Sequence, residues 1–283
     1  MIFQVTKNRR LAYEEYGDSK GKPVFYFHGW PGSRFGAVRM DHYGKKHGYR
    51  IISPDRPGVG ESDDKKNRTL LDWPDDVTAL ADYLKLKKFS ILGLSGGGPY
   101  VLACSYKIPH RLETVIIGAG LGPLYRIAEY PYVSSKTKWL WKLSMRMVDL
   151  VSIQLMIMRC VVCSFPNSVL IRLNWHRTDG GRDGIHHLAL RHELIDSTRE
   201  SLKNGIMGCV RDARIYARDW GFRIEDVTIP VYLWHGRKDN RVPDYHARFI
   251  SSKLKNAKFF SIPDAGHYLL GSHLEQILSS LEG

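Results

Sequence analysis

What this 283-residue chain lacks narrows its possibilities first. No apolar run is long enough to span a bilayer; the nearest, residues 147–163, is interrupted by Asp149, Gln154 and Arg159. The first ten residues have neither the apolar core nor the cleavage site of a secretory signal, so a cytoplasmic location is expected. There are only four cysteines and no disulfide framework. Cys160-x-x-Cys163 has the spacing of a metal or redox pair, but it stands in an apolar helical pattern with no second pair, and core packing is expected of it. No internal repeat or low-complexity linker is present, and nothing beside that pair completes a metal-ligand set. Acidic residues are scarce, 29 against 42 Lys and Arg, giving a net charge of +13. Such a balance raises a nucleic-acid or anionic-membrane partner. The basic residues are scattered in pairs such as Lys45-Lys46, Lys65-Lys66 and Lys87-Lys88, however, so the expectation is a solvated basic surface.

What is present is alternation. Residues 11–17 read as an early edge strand, and residues 23–29 as a continuous apolar strand of the kind buried on both faces of a parallel sheet. That strand ends in His28-Gly29-Trp30-Pro31-Gly32, a loop able to aim an N–H inward. A helix is expected over residues 35–46, then a strand at 49–55. Pro74, Asp75 and Asp76 open a helix whose apolar face is Val77, Leu80, Ala81 and Leu84. Strands follow at 89–92, where the apolar run breaks at Gly93, and at 112–118. From about residue 121 to 226 the pattern is helical, with no convincing buried strand. Trp139, Trp141, Trp175, Trp220, Met145, Met147, Met156 and Met158 in this stretch suit core packing singly and an apolar lid over a pocket together. Strands return at 231–236 and 257–262, and Leu274, Ile277, Leu278 and Leu281 mark a closing helix. The pattern predicts an α/β fold, a parallel sheet covered on both faces.

The chemistry centres on Gly93-Leu94-Ser95-Gly96-Gly97, a G-x-S-x-G run between a strand and a helix. Small residues two before and two after the serine let strand and helix approach closely, and the turn holds the serine in a strained conformation. Ser95, the Trp30 loop, Asp239 and His267 each follow a different strand, so all four belong on the carboxyl edge of the sheet, where ligands bind. A serine needs a base to become a nucleophile. His267 is the best placed, behind Gly266 on the loop after the last strand. His246 and His273 fall in expected helices, and His176, His186, His187 and His192 in the insertion. His28 and His235 serve their turns, and His42, His47 and His110 sit on helices or their ends. Asp239 occupies the loop where an acid orienting that base belongs; Asp264 is expected to make a local turn bond instead.

The order Ser95, Asp239, His267 resembles that of the α/β-hydrolases. So do His28-Gly29-Trp30-Pro31-Gly32, the loop from Asp55 to Ser62, His235-Gly236-x-x-Asp239 and Gly266-His267. The resemblance covers nearly the whole chain apart from the insertion. It implies a mostly parallel central sheet with helices on both faces and a helical cap inserted after the sixth strand. The core would be residues 1–120 and 227–283, and the cap 121–226. It implies Ser95 as nucleophile, His267 as base, Asp239 as orienting acid, and the Trp30 and Gly96 amides as oxyanion hole. Acyl transfer to water follows, on a small to medium ester or lactone that is apolar in part, with no metal or organic cofactor, no nucleic acid and no stable membrane insertion. A serine at the turn argues against the family's epoxide hydrolases and dehalogenases. A carbon–carbon bond hydrolase or an aminopeptidase acting on N-terminal proline, whose loop Trp30-Pro31-Gly32 resembles, would use the same three residues. A small-molecule receptor with little turnover is the alternative of another class.

Overall fold

A computed structural model describes residues 1–131, 133–173 and 188–282. Trp175, His176, His186 and His187 lie outside the described residues. Among the described residues eight strands form one sheet: β1 (Ile2–Thr6), β2 (Arg9–Gly17), β3 (Lys22–Phe27), β4 (Tyr49–Pro54), β5 (Phe89–Leu94), β6 (Leu112–Gly118), β7 (Val231–Gly236) and β8 (Ala257–Ile262). Their spatial order is β1-β2-β4-β3-β5-β6-β7-β8. From β4 onward every pairing is parallel, while β1 and β2 join antiparallel at one edge.

The continuous apolar strands are explained by two cores. Phe25 and Phe27 of β3, Ile91 of β5, and Val115 and Ile117 of β6 enter one of them. Val24, Tyr26, Leu92 and Ile116 enter the other, because successive strand side chains point to opposite faces. On the first face lie α2 (Trp73–Tyr83) and α3 (Gly98–Lys107); on the second lies α1 (Met40–His47). Each fully buried large side chain contributes roughly 1.5–3 kcal/mol, so the sheet interior is the rigid base from which the loops project.

Three expectations are corrected. Residues 11–17 are not at the edge, because β1 pairs outside them, Ile2 opposite Ala12. Only Phe3 of that strand is buried, too weak an alternation to read from sequence, and β6 is thereby the sixth strand. The helix over 35–46 divides into a 3₁₀ turn, Arg34–Ala37, and α1. The Ser33 hydroxyl caps the turn at Phe35 N, and Arg34 is tied to Asp55, which anchors that first turn separately from α1. Cys160 and Cys163 are free thiols exposed to solvent and not core residues.

Between β6 and β7 the described residues form helices and no strand. In order these are α4 (Ser135–Arg146), α5 (Val151–Ser164), α6 (Asn167–Arg172), α7 (Leu188–Leu202) and α8 (Met207–Ala217). Of these, α5 to α8 share a small core of their own, including Leu155, Val162, Ile195 and Leu202, into which Val59 projects from the loop after β4, whereas Trp141 and Met145 of α4 pack against the first core. The chain closes with α9 (Tyr245–Lys253), α10 (Leu269–Ser272) and α11 (Leu274–Leu278). Among the described residues no single helix is long and apolar enough to cross a membrane.

Candidate active site

Ser95 stands directly after β5 with φ +54°, a left-handed backbone that L-residues with a side chain rarely adopt. The glycines around it permit that turn. A Cβ on Gly97 would fall on the Phe27 carbonyl, and one on Gly93 would lie 2.7 Å from the Gly97 oxygen. The Ser95–Gly97 3₁₀ turn runs straight into α3, so the serine sits at the head of a helix whose first amides have no intrahelical partners. The Gly29 loop after β3 closes on it: a Cβ on Gly29 would be 3.5 Å from Ser95 Cβ, and one on Gly96 would be 2.9 Å from Trp30 Cβ.

Asp239 follows β7 and His267 follows β8. The His267 Nδ1 lies 2.8 Å from Asp239 Oδ2. The other oxygen, Oδ1, accepts the backbone N–H of Arg241 at 2.9 Å and of Val242 at 2.8 Å. Burial pushes the Asp239 carboxyl up, but hydrogen bonding and charge from His235 and His267 outweigh it and hold the group well below the usual carboxylate range. His235 supports this turn as expected, with Nε2 2.7 Å from the Val242 carbonyl. His28 is buried, its Nδ1 2.9 Å from Gly29 O; burial and the Arg56 charge keep it neutral. His246 is also buried, with Nδ1 accepting from Gly122 N at 3.2 Å, and burial lowers it to about 3. Asp264 is exposed and pairs with Lys238 at 2.9 Å.

Ser95, Trp30, Arg241 and His267 form the wall between two cavities. One, of about 330 Å³, is apolar, lined by Leu121, Leu124 and by Trp141, Met145, Val148 and Val151 of the helical segment. The other, of about 260 Å³, carries Arg39, Glu193, Ser197 and Tyr268. Arg39 holds Glu193 bidentately at 3.0 and 2.7 Å, and burial lifts that carboxyl above its usual range despite the arginine. The aromatic and methionine residues of the insertion divide accordingly. Trp141, Met145 and Met158 line the cavities and Trp220 is core, whereas Trp139, Met147 and Met156 face solvent.

Sequence reasoning missed the residues that tie α8 to this site. Trp30 Nε1 donates to the Cys209 carbonyl at 2.8 Å, and Tyr216 Oη donates to the Gly96 carbonyl at 2.9 Å. Asp212, one turn before Tyr216, is wholly buried between Arg56 and Arg68 and accepts from Tyr100 Oη at 2.6 Å. Arg56 in turn donates to the His28 and Gly29 carbonyls at 2.6 and 3.0 Å, fixing the loop beside Ser95. Burial pushes Asp212 up, and the two arginines outweigh it, leaving the group at about 2. The only sequence signal was the i, i+4 spacing of Asp212 and Tyr216 on one helix face.

Similarity to known proteins agrees with this fold. An uncharacterized hydrolase of Bacillus subtilis is 27% identical over 144 residues, 47% of this chain and 49% of that protein. A proline iminopeptidase of Xylella fastidiosa is 31% identical over 119 residues, 41% of this chain and 38% of that protein. The chain thus spans about half, or less, of the length of these curated relatives. An esterase from Exiguobacterium antarcticum superposes with a TM-score of 0.72 over 100% of this chain and 97% of its own, at 20% identity, which is a likeness of fold alone. The profile of the alpha/beta hydrolase family matches residues 24–279, and the chain belongs to that family.

Proposed function

We propose that this chain is a serine hydrolase that cleaves a small to medium ester or lactone through an acyl-enzyme. The observation that carries the reading is the His267–Asp239 hydrogen bond on the wall that Ser95 shares between two cavities. Asp239 fixes the imidazole with Nδ1–H toward the carboxylate, which leaves Nε2 to take the Ser95 proton. Ser95 Oγ then attacks the substrate carbonyl carbon, the carbonyl π pair moves to oxygen, and the Trp30 and Gly96 amides receive that oxyanion. Its collapse expels the alcohol, which takes the proton back from His267. Water, deprotonated by the same histidine, repeats the sequence on the acyl group and frees the acid.

The shape of the site supports a division of the substrate, with an apolar acyl chain under Trp141 and Met145 and a more polar portion beside Arg39 and Tyr268. A p-nitrophenyl ester series from acetate to octanoate tests this reading. Turnover should rise with chain length until the apolar cavity is filled, and Ser95→Ala should abolish it while the fold is retained. Equal turnover by Ser95→Ala would remove Ser95 from the mechanism.

The similarity to a proline iminopeptidase supports a second reading, cleavage of an amide after N-terminal proline. A prolyl arylamide hydrolysed faster than every ester of that series would establish it instead.

A further inference from the structure

The helices α4 and α5 have two apolar faces, and only one of them is accounted for. Their inner faces, Trp141 and Met145 of α4 and Val151 and Met158 of α5, line the cavities beside Ser95. Trp139, Leu140 and Leu143 recur at helical spacing on the outer side of α4, and Ile153, Met156 and Ile157 on that of α5. All six are exposed, Trp139 and Ile157 each at 61%. Scattered exposed apolar residues are ordinary, but a stripe of large ones on each of two consecutive helices is an unpartnered surface.

Charge indicates what covers it. Residues 133–173 contain Lys136, Lys138, Lys142, Arg146, Arg159 and Arg172 against one acid, Asp149, which is already paired with Arg214 at 2.7 Å. Lys136, Lys142 and Arg146 are exposed on α4 within a turn of the Trp139–Leu143 stripe. A second copy of this chain, set on the same face by two-fold symmetry, would bring those cations against their own duplicates in a protein of net charge +13. The break between the helices, bent by 65°, precludes a straight crossing of the bilayer. Large apolar side chains flanked by cations on helices lying side-on are the chemistry of an interfacial anchor on anionic lipid.

We propose that the outer face of α4 and α5 docks on an anionic phospholipid surface, with Trp139, Leu143, Ile153 and Ile157 entering the headgroup boundary and Lys142 and Arg146 meeting the phosphates. The docked face is the outer side of the cavity roof, so the bilayer lies against the helices that cover Ser95. The inference rests on this surface and is independent of the role of Ser95.

Sedimentation of the full chain with vesicles tests it, using phosphatidylcholine alone and phosphatidylcholine carrying about a third phosphatidylglycerol. Binding is expected to the anionic vesicles, weakening as salt rises. The double variant Ile153→Asp/Ile157→Asp should bind at least about tenfold more weakly with an unchanged melting temperature, and Lys142→Glu/Arg146→Glu should lose affinity likewise. Absence of binding to anionic vesicles, or binding that survives Ile153→Asp/Ile157→Asp, overturns the proposal. So does a dimer in analytical ultracentrifugation that this variant dissociates, which would assign the face to a second copy.

Discussion

Tyr216 Oη and the Gly96 carbonyl, 120 residues apart in sequence, are joined by a 2.9 Å hydrogen bond that links α8 to the turn carrying Ser95. The bond fixes the peptide that follows Gly96, whose amide is proposed to receive the oxyanion. Tyr216→Phe keeps the edge contact of its ring with Tyr100 and removes only the donor. Loss of an oxyanion donor itself costs about 3 kcal/mol in the barrier; loss of its support should cost less, about tenfold in kcat with KM little changed. Steady-state kinetics separates this from a substrate-binding role, which would move KM instead.

Asp212 is the second attachment of α8, and it balances two buried guanidinium groups. Asp212→Asn leaves Arg56 and Arg68 without a counter-charge where water cannot reach them. Destabilisation of about 3–5 kcal/mol is expected in urea unfolding. A change under about 1 kcal/mol would mean that the arginines find other partners and that the network does not hold the His28–Gly29 loop.

The Asp239–His267 pair makes a different prediction. Asp239→Asn is nearly isosteric but presents a neutral amide to His267 Nδ1, favouring the wrong tautomer, and kcat should fall by about 10³–10⁴-fold with the fold intact. The native carboxyl is held below its ordinary value. Its contribution to stability is therefore complete above the unfolded value near 4 and is lost as pH falls through the lower native value. Acid titration followed by circular dichroism should show a later acid transition in the native chain than in Asp239→Asn.

Much of this site could be read from the sequence because its parts are local. Each candidate residue follows its own strand by one to five positions, and parallel strands ending at a common edge bring such residues together however far apart they lie in the chain. The Gly93 and Gly97 positions were legible for the same reason: the packing of Gly97 against Phe27 arises from a turn of fixed length. What escaped was non-local or weakly patterned. Nothing near Asp212 in sequence announces Arg56 and Arg68, which reach it from 156 and 144 residues away. The strand β1 buries one side chain and so leaves little alternation to detect. Cys160 and Cys163 were misplaced because α5 is apolar on every side. Periodicity cannot identify the inward face of such a helix.

A buried histidine outside the pair gives a pH prediction for the fold. His246 is neutral in the native chain, lowered by burial to about 3, whereas the unfolded chain takes up its proton near 6.5. The unfolded state then binds more protons between those values, so stability declines as pH falls from 6.5 toward 3. One such group contributes about 1.4 kcal/mol per pH unit where its proton uptake on unfolding is complete. His246→Phe should be less stable at pH 7, through loss of the bond from Gly122 N, yet show a shallower decline between pH 6.5 and 5 by nearly that amount. Parallel curves for the two proteins would show that His246 is protonated in the native state.

The proposal that Ser95 is the nucleophile is tested most directly by covalent capture. A fluorophosphonate probe followed by peptide mass mapping should place a single phosphonyl adduct on Ser95, with labelling abolished in Ser95→Ala and slowed by orders of magnitude in His267→Ala. An adduct on any other residue, or none on Ser95 in folded protein, would contradict the account.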